Sequence, residues 1–124
     1  MFLRFSTALA ATLLVTSGVA QAAKLSTPLV GNGAGRVIQC IATNVGTSPA
    51  TISVKLYDVD GNPIVPNSDS CAIAPVEPHA SCSAQPLVGQ VASCVFESGS
   101  RNIRAAAEVF SGPNIVTVVP ATAR

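Results

Sequence analysis

The chain has no tryptophan, one tyrosine, four phenylalanines and one histidine among its 124 residues. Aromatic rings bring the largest buried areas to a core, so Val, Ile, Leu and Ala must fill this one. Only 10% of the residues are charged, and no basic run occurs. That excludes the electrostatic footprint of a nucleic-acid binder or of a protein held on an anionic membrane surface. Zinc sites built from thiolates want close pairs such as C-x-x-C. The four cysteines are instead separated by 31, 11 and 12 residues. Beyond residue 22 the longest apolar run, Ile115–Val119, is interrupted by Thr117 and is far too short to cross a bilayer.

What is present starts with an export signal over residues 1–22. Arg4 gives a positive n-region, Ala8–Val15 an apolar h-region, and Ala20-Gln21-Ala22 the small residues for cleavage before Ala23. Thr16, Ser17 and Gly18 break the apolar run before it could anchor in a membrane. The first cysteine is Cys40, so the cleavage point offers no thiol for lipid attachment. Removing the first 22 of 124 residues leaves 102, the size of one domain. Its six basic residues (Lys24, Arg36, Lys55, Arg101, Arg104, Arg124) balance six acidic ones (Asp58, Asp60, Asp69, Glu77, Glu97, Glu108). The expected product is exported to the periplasm or the extracellular space, with no stable membrane insertion after cleavage.

Residues 23–35, with Pro28 and the run Gly31-Asn32-Gly33-Ala34-Gly35, read as a flexible lead-in: a loop or a short edge strand. A phosphate-binding loop would need a strand before it and a helix after it, whereas this run leads into the strand pattern Arg36–Asn44. On that strand Ile38, Cys40 and Ala42 share one face, while Val37 and Ile41 occupy the other. Ala50–Val59 alternates cleanly, with Ile52, Val54 and Leu56 on its apolar side. Asn44–Pro49 joins the two with turn chemistry, and Asp60-Gly61 reverses the chain into Pro63–Val65. After a polar loop, Pro66–Ser70, the segments Cys71–Ala74 and His79–Ala84 read as a hairpin around Pro75–Pro78. Val91–Glu97 reads as pairing through Ser98-Gly99-Ser100 with Ile103–Phe110. On the latter, Ile103, Ala105, Ala107 and Val109 are the dry face and Arg104 and Glu108 mark the wet one. Ser111–Asn114 turns into a last strand, Ile115–Val119. Seven to eight short antiparallel strands without an amphipathic helix predict an all-β, immunoglobulin-like β-sandwich over 36–124, braced by disulfides.

A core of about 100 residues is marginal by itself, and an exported chain with four cysteines reads as two bridges. A four-residue turn at 75–78 sets Cys71 opposite Cys82. Opposed residues on antiparallel strands lie ~4.5–5.5 Å apart, within disulfide range. Cys40 then pairs with Cys94, strand to strand through the core.

The segment Cys40–Gly61, CIATNVGTSPATISVKLYDVDG, resembles part of the immunoglobulin-like modules of bacterial surface and adhesion proteins. Those carry an Asn-x-Gly turn before a V-x-V-x-L strand, here Asn44-Val45-Gly46 and Ile52, Val54, Leu56. The wider layout is similar to small exported bacterial proteins of unknown function. The resemblance covers about a fifth of the chain and implies envelope or extracellular residence with a binding or structural role.

Side chains that invite chemistry are few. His79 could serve as a base with Ser81 or Ser83 as nucleophile and Glu77 as orienter. Neighbours along one strand cannot readily build a triad, however, and no G-x-S-x-G elbow occurs. Asp58, Asp60 and Asn62 suggest a calcium loop, yet the sixth and twelfth places hold Pro63 and Asp69 where glycine and a bidentate Glu belong. Tyr57 is the single ring available for stacking on a sugar. The reading is therefore not an enzyme: no catalytic residue, no cofactor and no metal, with a protein partner met through the loops Asn44–Pro49, Pro66–Ser70 or Gln85–Gln90 or through an unpaired sheet edge. The alternative is an inhibitor of a secreted enzyme presenting the Cys71–Cys82 hairpin, with Pro75 and Pro78 at its tip. A small hydrolase using His79 comes last.

Overall fold

In the computed structural model the described residues are 22–31 and 35–124, and they contain strands and turns but no helix. The signal segment lies outside this range save for Ala22, as do Asn32–Ala34 of the glycine-rich run. Ten strands form: β1 (Ala23–Ser26), β2 (Arg36–Asn44), β3 (Ile52–Tyr57), β4 (Pro63–Ile64), β5 (Ser68–Asp69), β6 (Ser81–Gln85), β7 (Ser93–Ser98), β8 (Ile103–Ser111), β9 (Asn114–Pro120) and β10 (Thr122–Ala123). They make two antiparallel five-stranded sheets, ordered β10-β1-β7-β3-β4 and β5-β6-β2-β8-β9.

The central strands of the two sheets, β7 and β2, are tied by the disulfide Cys40–Cys94. Both cysteines are wholly buried, so the bridge runs through the middle of the molecule. The inner layer of the second sheet is rich in small side chains, with Ala42, Ala84 and Ala107 all buried. Opposite them the first sheet supplies Ile52, Leu56 and Phe96. Small against large is how two pleated layers interdigitate at the usual ~10 Å separation. Among the described residues Phe96 is the one ring sealed in the core, as the scarcity of aromatics predicts.

Most expected strands form, with ends shifted by a few residues. Three expectations need correcting. Ala23–Ser26 is neither loop nor edge: β1 pairs with β7 along its length and with β10 on its other side. Thr27 extends that contact, because its N–H donates to Cys94 O while its Oγ1 accepts the Cys94 N–H. The bridge Val30↔Ala92 comes next along the chain, and at Gly31, with φ +96°, a Cβ would run into the Ile38 side chain. The lead-in is therefore a packed part of the first sheet up to Gly31.

The second correction concerns β7 and β8, which do not pair as a hairpin; they lie in different sheets. Gly99 has no positive φ to make a tight reversal. Serine hydroxyls shape the corner instead: Ser100 N–H donates to Ser98 Oγ, and Asn102 N–H donates to Ser100 Oγ. Ser98 Oγ–H in turn donates to Thr51 O, and Val45 N–H to Asn102 O. A short polar link between two apolar strands looks the same whether it turns within a sheet or climbs between two. Similarly, Asn44–Pro49 carries the chain from β2 in one sheet to β3 in the other.

The third is the segment around the second disulfide. Cys71 bonds Cys82, and the register expected there holds, since Ser68↔Gln85, Asp69↔Ala84 and Ser70 N–H···O Ser83 extend it. The ladder, however, runs outward from the bridge through part of the expected Pro66–Ser70 loop. Residues 71–80 form turns and the isolated bridge Val76↔Ala50 in place of the expected strand ends. The wet and dry faces of β8 hold in part: Ile103, Ala107 and Val109 are buried and Arg104 exposed, while Ala105 and Glu108 are both half-buried.

Candidate functional site

The expected chemical residues are held by local structure. His79 is exposed and sits at the third position of a turn closed by Ala80 N–H···O Glu77 (3.0 Å), with Pro78 before it. Its φ is 66°, the combination of a type II turn, and His tolerates that left-handed backbone better than most side chains. Its backbone N–H donates to Asn44 O at 2.8 Å. Ser81 Oγ shares a 2.7 Å bond with Thr43 Oγ1 across the β2–β6 pair. Among the described residues no side-chain hydrogen bond joins His79 to Ser81, Ser83 or Glu77.

Asp58 is used by its own turn. Its Oδ1 accepts N–H groups from Asp60 (2.9 Å) and Asn62 (2.8 Å), and Gly61 N–H donates to its backbone oxygen. Asp69 Oδ1 accepts the Ala72 N–H, which starts the turn after the Cys71 bridge. Both carboxylates thus spend an oxygen on shaping loops. Tyr57 lines an open groove of about 560 Å³ with Leu29, Asp58, Val59 and Arg124.

Asn44 organises the opposite end, a role sequence reasoning passed over. It is fully buried at the end of β2. Its Nδ2 donates to Ser48 O (2.8 Å) and Val76 O (2.9 Å), and its Oδ1 accepts Gly46 N–H (2.9 Å). Every polar atom of the amide is satisfied, which is what makes its burial tolerable. Glycine is needed beside it, because a Cβ at Gly46 would press on Asn102 Cβ at 3.0 Å. The signal was legible: an Asn closing an apolar strand, two residues before a Gly.

Of the expected contact loops, Asn44–Pro49 is anchored through that amide and exposes Val45. Gln85 belongs to β6 and Pro86 is buried, so only residues 87–90 of the Gln85–Gln90 loop stand clear. The sheet edges differ sharply from one another. β10, β4 and β5 are two-residue strands, whereas β9 runs for seven residues with Ile115, Val116 and Val118 at 52%, 46% and 55% exposure. Short edges are a common way to blunt unwanted pairing, and a long apolar edge invites it. The apolar surface continues inward from β9, since Ile115 pairs with Phe110 and Phe110 with Val37. The lack of polar alternation in Ile115–Val119 was the signal, and it reads equally well as a buried strand.

Comparison with known protein families, with curated proteins and with solved structures finds no match for this chain.

Proposed function

We propose that this is an exported, immunoglobulin-like module with a binding or structural role, acting without a catalytic side chain and meeting a protein partner. The observation that carries it is the contrast between occupied polar groups and an open apolar edge. The Asp58 and Asp69 carboxylates shape turns and Ser81 Oγ is bonded to Thr43 Oγ1, while β9 presents backbone hydrogen-bonding groups and aliphatic side chains together. Two disulfides fit an oxidising compartment, and among the described residues no helix is long and apolar enough to cross a membrane.

Support for the immunoglobulin-like reading is topological. Antiparallel pairs β2–β6 and β3–β7 lie in opposite sheets, with a disulfide from β2 to β7. These correspond to the B–E and C–F pairs and the B–F bridge of that fold. The outer strands depart from it: β8 lies beside β2 where a first strand belongs, and β1 lies beside β7 where a last strand belongs.

The test is complementation. Replacing Glu77, His79 and Ser81 together by Ala should leave a deletion strain fully rescued. A variant that folds and is exported yet fails to rescue would refute this reading. The inhibitor reading would then come forward, since Ile73 within the disulfide-closed loop is 82% exposed, and a protease-inhibition panel would decide it. Export has its own check: the intact mass of secreted protein should match a chain beginning at Ala23, and retained Met1–Ala22 would contradict cleavage there.

A further inference from the structure

We propose that β9 pairs antiparallel with β9 of a second copy, about a two-fold axis through Val118, joining two sheets into one of ten strands. This names a partner for the contact edge proposed above and rests on that reading. The strand's own devices against pairing sit at its ends. A bulge leaves Val116 as the extra residue between Ile115↔Phe110 and Thr117↔Val109, and Pro120 closes the far end. Between them Thr117, Val118 and Val119 pair regularly with Val109, Glu108 and Ala107. Val109 and Ala107 are buried, so Thr117 and Val119 belong to the inner side of the sheet and Val118 to the outer.

The register is set by those sides. Opposed residues in an antiparallel pair project to the same face. An axis at Val118 sets Val118 against its own copy, and Thr117 against Val119 of the other chain, inner side to inner side. An axis at Thr117 would instead set inner Val119 against outer Ile115, because the bulge changes the parity.

Charge selects the occupant. No charged side chain occurs from Val109 to Ala123, so a charged strand would find no complement here, whereas a neutral one meets no repulsion. Among the described residues, β9 is the one edge strand longer than two residues, and it is neutral and carries apolar residues on both sides. The nearest like charges across the axis are the two Glu108 side chains, three strand spacings or ~14 Å apart, beyond the ~8 Å screening length at physiological salt. A closed two-fold pairing also leaves no further long edge among the described residues, which stops growth at two copies.

The test uses the mature, exported chain. Under mild oxidation Val118→Cys should form a disulfide-linked dimer, with Cys40–Cys94 and Cys71–Cys82 intact by peptide mapping. It should do so at least tenfold faster than Thr117→Cys or than Val65→Cys, whose site is 87% exposed far from β9. Sedimentation of the unmodified chain from ~10 μM to ~1 mM, the span suited to a weak interface of small area, should show mass rising toward two copies. Val118→Lys should hold the mass at one copy with its melting temperature unchanged. Equal cross-linking at Val118 and Val65, faster cross-linking at Thr117, or a monomer throughout would overturn the proposal. Such a failure stays distinguishable from failure of the broader role, which complementation reads separately.

Discussion

Replacing Cys40 and Cys94 together by Ala should lower the melting temperature by some ~15–30 °C, and by more than the same treatment of Cys71 and Cys82. The long bridge closes a loop with a separation of 54 residues and the short one a separation of 11. In the chain-entropy description those loops correspond to about 4 and about 3 kcal/mol. Each kcal/mol is ~4–8 °C for a domain of this size. Position widens the gap. Cys40 and Cys94 are 0% exposed on the central strands, so removing their sulfurs also opens a cavity between the sheets. Cys71 and Cys82 lie where ladder gives way to turns. Since whole domains carry only about 5–15 kcal/mol, the central variant should lose a large share of the stability of the fold. Paired calorimetric scans in which the short bridge mattered more would refute the assignment of the main brace.

Asn44→Ala should be the most damaging single substitution outside the cysteines, at about 3 kcal/mol. It strands the buried Gly46 N–H and takes one donor from each of the carbonyls of Ser48 and Val76, the latter keeping only the Ala50 N–H. An orphaned buried partner typically costs about 1–3 kcal/mol. Asn44→Asp should be at least as harmful despite its nearly identical shape. It keeps an acceptor for Gly46 but turns a second oxygen toward two carbonyls and buries a charge. Urea titrations should show both variants with lowered midpoints and unchanged slopes. A midpoint within experimental error of the parent would mean the amide does not hold the 44–49 and 76–80 loops together. The same variants should loosen the turn at His79, whose N–H donates to Asn44 O.

Strand positions were legible where one face is wet. Ile52, Val54 and Leu56 alternate with Thr51, Ser53 and Lys55, and that period survives as β3 with its apolar face buried. The Cys71–Cys82 pairing and its register were legible, but the four-residue turn at 75–78 that they were read from does not form, and the whole of 71–80 is the connection. Pairing partners were not legible beyond such local connections. β7 and β8 read as a hairpin because Ser98–Asn102 is short and polar, yet hydroxyl-to-backbone bonds make it a corner between sheets. β1 read as loose because Pro28 and glycines come after it. Its place between β7 and β10 depends on partners some seventy and a hundred residues away.

What the sequence determined by itself is the class of molecule: strands from period-two patterning, two bridges from four cysteines, and an aliphatic core from the lack of rings. Each is a local property of composition or spacing. The tertiary structure alone decided which strands became central and which were left open. Inner and outer sides of β9 cannot be told apart in Ile115–Val119, where apolar residues occupy both. Only the register with β8 assigns them, placing Thr117 and Val119 on the side of the buried row and leaving Val118 and the outer edge of β9 without a neighbour among the described residues. The physical reason is that a strand's sides take meaning from the sheet it joins, and that choice rests on contacts far apart in the chain.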